Sequence, residues 1–293
     1  MAAPAEQTDL ADRDPGRVHD GEHAHRDGRE PRELPRHAGP VRGRRGAPAP
    51  RRLAPRRVAP RPAPLVSPPA RLDTSGIEVL SFDCYGTIID WDGGIAAAFA
   101  AVPAFRDQDL PALVAEREEI EKHFLAEPYR PYRDILRASL QETAARHGLS
   151  LSRDDLDAFA ASMPTWPPFP DSTSALLQLQ RHGSLAILSN VEREVLDASL
   201  APLERAGVRF SAKITADRVH SYKPARAHFD AALAELELSA SSILHVAGSR
   251  YHDIDPAAQL GWRAVFVDRR GDGGGAGTPT VRSLAELARS LGS

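Results

Sequence analysis

The chain has 293 residues, 42% of them hydrophobic, and a formal net charge of −3, which allows one or two domains with a sizeable core. No apolar stretch is long enough to span a membrane, and a lone cysteine, Cys84, excludes an internal disulfide. With no apolar leader near Met1, a cytoplasmic location is expected.

Residues 1–74 are rich in Pro, Arg, Ala, Gly and His and show no hydrophobic periodicity, so they are expected to be a disordered tail. Arginine outnumbers the acids there while the remainder is net acidic, and the two parts are electrostatically unlike. The arginines from Arg42 to Arg61, spaced by prolines, offer positive charge to an anionic surface. The tail has no aromatic residue for base stacking and no recognisable binding motif, so nucleic acid is not an expected partner.

From residue 75 onward, short β-like runs (77–82, 185–189, 212–215, 243–247 and 264–268) alternate with helical patterns. Such alternation predicts an α/β fold, a parallel sheet with helices on both faces. Between the first two runs, residues 91–165 read entirely as helix. Periodicity marks 111–126 and 132–147, and Ser152 with Asp155 forms a capping box opening a third helix. The proline-rich stretch 164–170 then gives a stiff return. The expected organisation is a core of 75–90 and 166–293, with 91–165 inserted as a helical lid over the end of the first strand. Residues 271–277 read as a flexible glycine loop and 283–291 as a last helix.

The first run stops at Phe82-Asp83-Cys84-Tyr85-Gly86-Thr87 and delivers one carboxylate to the sheet's C-terminal edge, where open α/β sheets bind ligands. The second run ends on Ser189-Asn190, a hydroxyl and an amide. Lys223, in Tyr222-Lys223-Pro224, is one of three lysines among 37 basic residues; it offers a compact point charge where arginine would impose a planar fork. The fourth segment, His245-Val246-Ala247-Gly248-Ser249-Arg250-Tyr251-His252-Asp253, brings a second acid. Cys84 alternates away from its neighbours and reads as a small buried filler. His245 and His252 lack partners at zinc spacing, while Trp91 and Tyr85 read as an apolar pocket wall.

These four ordered segments resemble the motifs of the haloacid dehalogenase (HAD) superfamily, over about residues 75–270. The resemblance implies a Rossmann-like parallel core with an inserted helical cap. It makes Asp83 a covalent nucleophile and Lys223 the charge that balances it; Asp253 is the candidate to orient and deprotonate a water. Thr87 would hydrogen-bond the nucleophile or the substrate's carboxylate, and Ser189 and Asn190 would bind its anionic group. Phosphatases of the superfamily carry an acid at the position of Tyr85 and a magnesium ligand at that of Gly248. Both are missing here, as in the L-2-haloacid dehalogenase branch, and the wording of the fourth segment resembles its type II-like subgroup.

A halide leaves without a proton, so an acid at position 85 is dispensable, and a metal clamped on Asp83 would blunt its attack. The expected reaction is therefore hydrolytic dehalogenation of a small 2-haloalkanoic acid through an aspartyl ester, with no cofactor. The alternatives are a small-molecule phosphatase with a weakened Mg2+ site at Asp83 and Asp253, and a catalytically feeble binding scaffold. The sequence departs from the dehalogenases where they place a cap arginine, since counting forward lands on Leu113 and Val114. Arg117, within Glu116-Arg117-Glu118-Glu119, reads as a solvated surface residue. Phe229 replaces a tyrosine of those enzymes, and Arg250, where an amide is expected, is the candidate substitute cation. The expected partner is a small organic acid, with no membrane, and the chain is compatible with a homodimer.

Overall fold

The structure, a computed structural model, describes residues 72–273 and 277–292. The expected disorder of residues 1–74 therefore lies outside the described residues except at 72–74, and part of the 271–277 loop lies outside them too.

The first apolar run forms β1 (Val79–Phe82), all four residues buried. After it come α1 (Trp91–Ala101), α2 (Leu110–Ala126), α3 (Tyr132–Arg146) and α4 (Arg153–Ala161). The chain continues through α5 (Ser172–Leu179), β2 (Ser184–Ser189), α6 (Arg193–Arg205), β3 (Phe210–Thr215), α7 (Ala216–Val219) and α8 (Ala227–Leu236). It closes with β4 (Ile243–Ala247), one π-helical turn (Arg250–Ile254), α9 (Asp255–Gln259), β5 (Arg263–Val267), β6 (Thr280–Val281) and α10 (Leu284–Leu291).

All the strands pair in parallel, in the order β3-β2-β1-β4-β5-β6. This is a doubly wound, Rossmann-like order, with its topological switch between β1 and β4. The apolar runs are continuous because each central strand is covered on both faces. Leu80, Phe82, Ile187 and Val246 pack with Leu176 of α5, Leu200 of α6 and Leu287 of α10. Val79, Leu188, Ile214 and Ile243 pack on the other side with Phe229 of α8 and Trp262. Each such side chain contributes roughly 1.5–3 kcal/mol of burial. The α/β expectation holds; β6 was not expected, because two residues are too few to show a period.

The helices between β1 and α5 start where the sequence supplies caps. Asp90 accepts the Gly93 N–H at 3.0 Å for α1, and Asp109 accepts that of Ala112 at 3.3 Å for α2. The Ser152–Asp155 capping box closes both ways, at 3.1 and 2.9 Å, and opens α4. The return segment lies beside the exit segment, with the Asp90 N–H donating to the Pro167 carbonyl at 2.8 Å. Trp166 anchors this crossing. A Cβ at Gly94 would stand 2.4 Å from its ring, so only glycine lets α1 come so near. Trp166 meets Trp91 and Tyr85 edge-on, with centroids 5.1 and 6.2 Å apart. Among the described residues no helix is long and apolar enough to cross a membrane.

Candidate active site

The C-terminal ends of β1, β2 and β4 and the helices inserted after β1 enclose a cavity of about 450 Å³. Asp83, immediately after β1, lies at its floor and is 7% exposed. Both of its oxygens are engaged. Oδ1 accepts from Lys223 Nζ at 3.0 Å, and Oδ2 from Thr87 Oγ1 at 2.8 Å. Thr87 Oγ1 in turn accepts the Gly248 N–H at 2.8 Å, which joins the loop after β1 to the end of β4.

Lys223 reaches Asp83 from the loop before α8 and is 1% exposed. Its ammonium uses all three protons: one on Asp83, one on Asp253 Oδ1 at 2.5 Å, and one on the Leu188 carbonyl at 2.7 Å. Asp253 Oδ1 also pairs with His245 Nε2 at 3.1 Å. The other His245 nitrogen contacts Ser81 Oγ at 2.9 Å, across the β1–β4 register. Asp253 Oδ2 is buried without a protein partner.

Burial raises the Asp83 carboxyl above its ordinary range, against the pull of Lys223. Asp253 is buried more deeply still, which by itself would raise its pKa, yet it is held well below that range because Lys223 and His245 both favour its ionised form. Of two carboxylates sharing one ammonium, Asp83 is thus the first to take a proton.

The remaining predicted residues take varied positions. Ser189 and Asn190 both line the cavity, and Asn190 also clamps the Lys223 backbone with its amide, donating to the carbonyl at 3.1 Å and accepting the N–H at 2.7 Å. Its geometry fixes the lysine loop. Tyr85 lines the cavity, its hydroxyl 2.7 Å from Ser199 Oγ of α6, and burial keeps the phenol well above its usual pKa and therefore neutral. Arg250 lies in the cavity wall and donates to Asp255 at 2.7 Å. Cys84 is fully buried and its thiol is pushed up by burial, which fits a filler rather than a nucleophile.

Arg117 corrects the sequence expectation. It is not a solvated surface residue but fully buried, with Nη2 2.6 Å from Glu121 Oε1, Nε donating to Ser139 at 3.1 Å, and its guanidinium 5.7 Å from the Trp91 ring centre. The Tyr132 hydroxyl makes a short bond to the same Glu121 oxygen. The neighbouring acids in sequence suggested solvent, but Leu113, Arg117, Ile120 and Glu121 form the buried face of α2, and their helical spacing was the usable signal. Glu121 and Tyr132 line the cavity, and sequence reasoning missed both.

A divalent cation finds few donors here. The Asp83 oxygens and Asp253 Oδ1 are taken up by Lys223, Thr87 and His245, leaving Asp253 Oδ2 as the one carboxylate oxygen of the pair without a partner. At Gly248 a Cβ would stand 2.4 Å from the Gly86 carbonyl oxygen, so a side-chain ligand there needs the backbone to move. Among the described residues no group of three potential ligands converges. A magnesium ion held by Asp83 and Asp253 would have to share their oxygens with Lys223, Thr87 and His245 and complete its near-octahedral shell largely with water.

Residues 77–261 match the model of a family described as haloacid dehalogenase-like hydrolase. The chain belongs to this family. No curated protein sequence matches it. Solved structures share the HAD fold. An L-2-haloacid dehalogenase superposes with a TM-score of 0.66 at 22% identity, over 74% of this chain and 99% of that one. The L-2-haloacid dehalogenase from Xanthobacter autotrophicus with chloropropionic acid covalently bound gives 0.64 at 21% identity, over 74% and 99%. A putative HAD-hydrolase from Bacillus subtilis bound to magnesium gives 0.62 at 18%, again over 74% and 99%. At these identities the likeness establishes the HAD fold, which dehalogenase and magnesium-bound hydrolase share.

Proposed function

We propose that this HAD hydrolase cleaves the carbon–halogen bond of a small 2-haloalkanoic acid without a metal. The observation that carries the reading is the Asp83 carboxylate in the cavity, its charge balanced by Lys223 at 3.0 Å, with Gly248 where a phosphatase would place a further metal ligand. One Asp83 oxygen attacks the halogen-bearing carbon, the carbon–oxygen bond forms as the carbon–halogen bond breaks, and the halide departs with the electron pair. That step consumes no proton, in keeping with a neutral Tyr85 where a phosphatase would hold an acid.

Thr87 and Lys223 orient the nucleophile, while Ser189 and Arg250 supply polar contacts in the wall for the substrate's carboxylate and the halide. Water then attacks Cγ of the Asp83 ester, oriented by Asp253 through Oδ2, and the hydroxy acid leaves. A cytoplasmic setting belongs to the same proposal. Halide release from chloroacetate and 2-chloropropionate in EDTA, set against phosphate release from p-nitrophenyl phosphate with magnesium, tests it. Turnover confined to the phosphate ester would replace this reading with the phosphatase one, and turnover of neither would make the chain a binding scaffold.

A further inference from the structure

The turn after β4 places a second unused group beside Asp253. His252 lines the same cavity as Asp83 and Asp253. Its Nδ1 lies 3.1 Å from Ser249 Oγ, and the same oxygen accepts the His252 backbone N–H at 3.1 Å. The ring is therefore anchored at one nitrogen. Its other nitrogen, Nε2, is buried without a protein partner, as is Asp253 Oδ2. Buried polar atoms left unpaired by the protein call for a ligand or a water, and here two belong to consecutive residues at one cavity wall. The same cavity is lined by Asp83, Lys223 and Asp253, so the imidazole stands in the wall that holds the reacting groups.

We propose that His252 is the catalytic base of the second half-reaction, taking a proton from the water that hydrolyses the Asp83 ester. This deepens the dehalogenase reading and rests on it. Asp253 is poorly suited to take that proton, because its Oδ1 is committed to Lys223 and His245 and its conjugate acid is correspondingly strong. Burial lowers the His252 pKa and keeps the imidazole neutral near pH 7, so the lone pair of its unpartnered Nε2 is available to take a proton. Asp253 Oδ2 and His252 Nε2 hold the water together. Its oxygen bonds to Asp83 Cγ as one proton passes to Nε2. The tetrahedral intermediate then collapses by breaking the bond from Cγ to the alkyl oxygen, and His252 returns the proton to that oxygen. The water's other proton leaves the restored Asp83 carboxyl for solvent.

Rapid-quench kinetics with 2-chloropropionate separate the two half-reactions. In His252→Gln, a burst of one halide per active site should survive while steady-state turnover falls by about 10²–10⁴-fold, the usual contribution of a general base. The quenched variant should carry the alkyl ester mass on the peptide holding Asp83. In His252→Ala, added imidazole should restore part of the turnover and remove that mass. Unchanged turnover in His252→Gln, or a folded variant that shows no burst, would overturn the assignment of His252 alone. No halide from the wild-type enzyme would overturn the dehalogenase reading and this inference with it.

Discussion

Asp83 and Lys223 are 140 residues apart in the chain, and their charged groups meet at 3.0 Å. The doubly wound order makes this possible, because it brings the end of β1 and the crossover after β3 to one edge of the sheet. The ammonium also holds Asp253 at 2.5 Å, so one cation serves two buried carboxylates.

Removing that cation should be costly. Lys223→Met leaves Asp83 and Asp253 buried without their counter-charge, and the expected loss is about 3–5 kcal/mol of unfolding free energy, read by urea denaturation. Lys223→Arg should recover little of it, since a planar fork cannot reproduce the three-way contact of Nζ. A melting curve for Lys223→Met that overlays the wild type would contradict the pairing.

The raised carboxyl of Asp83 sets the sign of two pH effects. Attack needs the ionised form, so kcat/KM should fall as pH drops through the Asp83 pKa, with an acid limb above the ordinary Asp value of about 3.9. For stability, a group whose pKa is raised on folding contributes fully below its unfolded pKa, and the contribution is lost as pH rises through the folded one. Asp83→Asn should therefore be at least as stable as the wild type at pH 7, with its relative advantage shrinking towards acid. A variant markedly less stable at pH 7 would show that ionised Asp83 stabilises the fold.

The Gly248 backbone offers a test of the metal account. Gly248→Asp restores the acid that phosphatases use, yet its Cβ would stand 2.4 Å from the Gly86 carbonyl oxygen. The expected result is a loss of roughly 1–3 kcal/mol from overpacking, with no magnesium-dependent phosphatase activity gained. Calorimetric magnesium binding by a stable Gly248→Asp protein would show that the backbone yields.

Arg117 separates a buried ion pair from a surface one. Arg117→Met should cost about 3–5 kcal/mol because it strands the Glu121 carboxylate in the interior, whereas a solvated arginine would change stability by no more than about 0.5 kcal/mol. The second outcome would return Arg117 to the surface reading its acidic neighbours suggest.

Much of this arrangement was legible in the sequence. Strand ends carry their own signals, and Asp83, Ser189 and Gly248 each follow or close an apolar run, so one sheet edge gathers them. Long-range pairing was not legible. Nothing near Asn190 indicates that its amide would clamp the Lys223 backbone, and nothing near Tyr85 names Ser199 as its partner. Arg117 misled because local charge density describes the neighbours in sequence, while burial depends on the helix face and on Ser139 of α3. His252 read as a histidine without metal partners; its significance lies in the unpaired Nε2, which only packing reveals.

Oxygen tracing through Asp83 tests the nucleophile most directly. Wild-type enzyme in excess over 2-chloropropionate, in oxygen-18 water, should give a first-turnover hydroxy acid whose new hydroxyl is unlabelled, with one heavy oxygen in the Asp83 carboxylate. That result follows if Asp83 attacks carbon and water later attacks Asp83 Cγ. Heavy oxygen arriving directly in the product, with Asp83 unlabelled, would mean that water displaces the halide and Asp83 is no nucleophile.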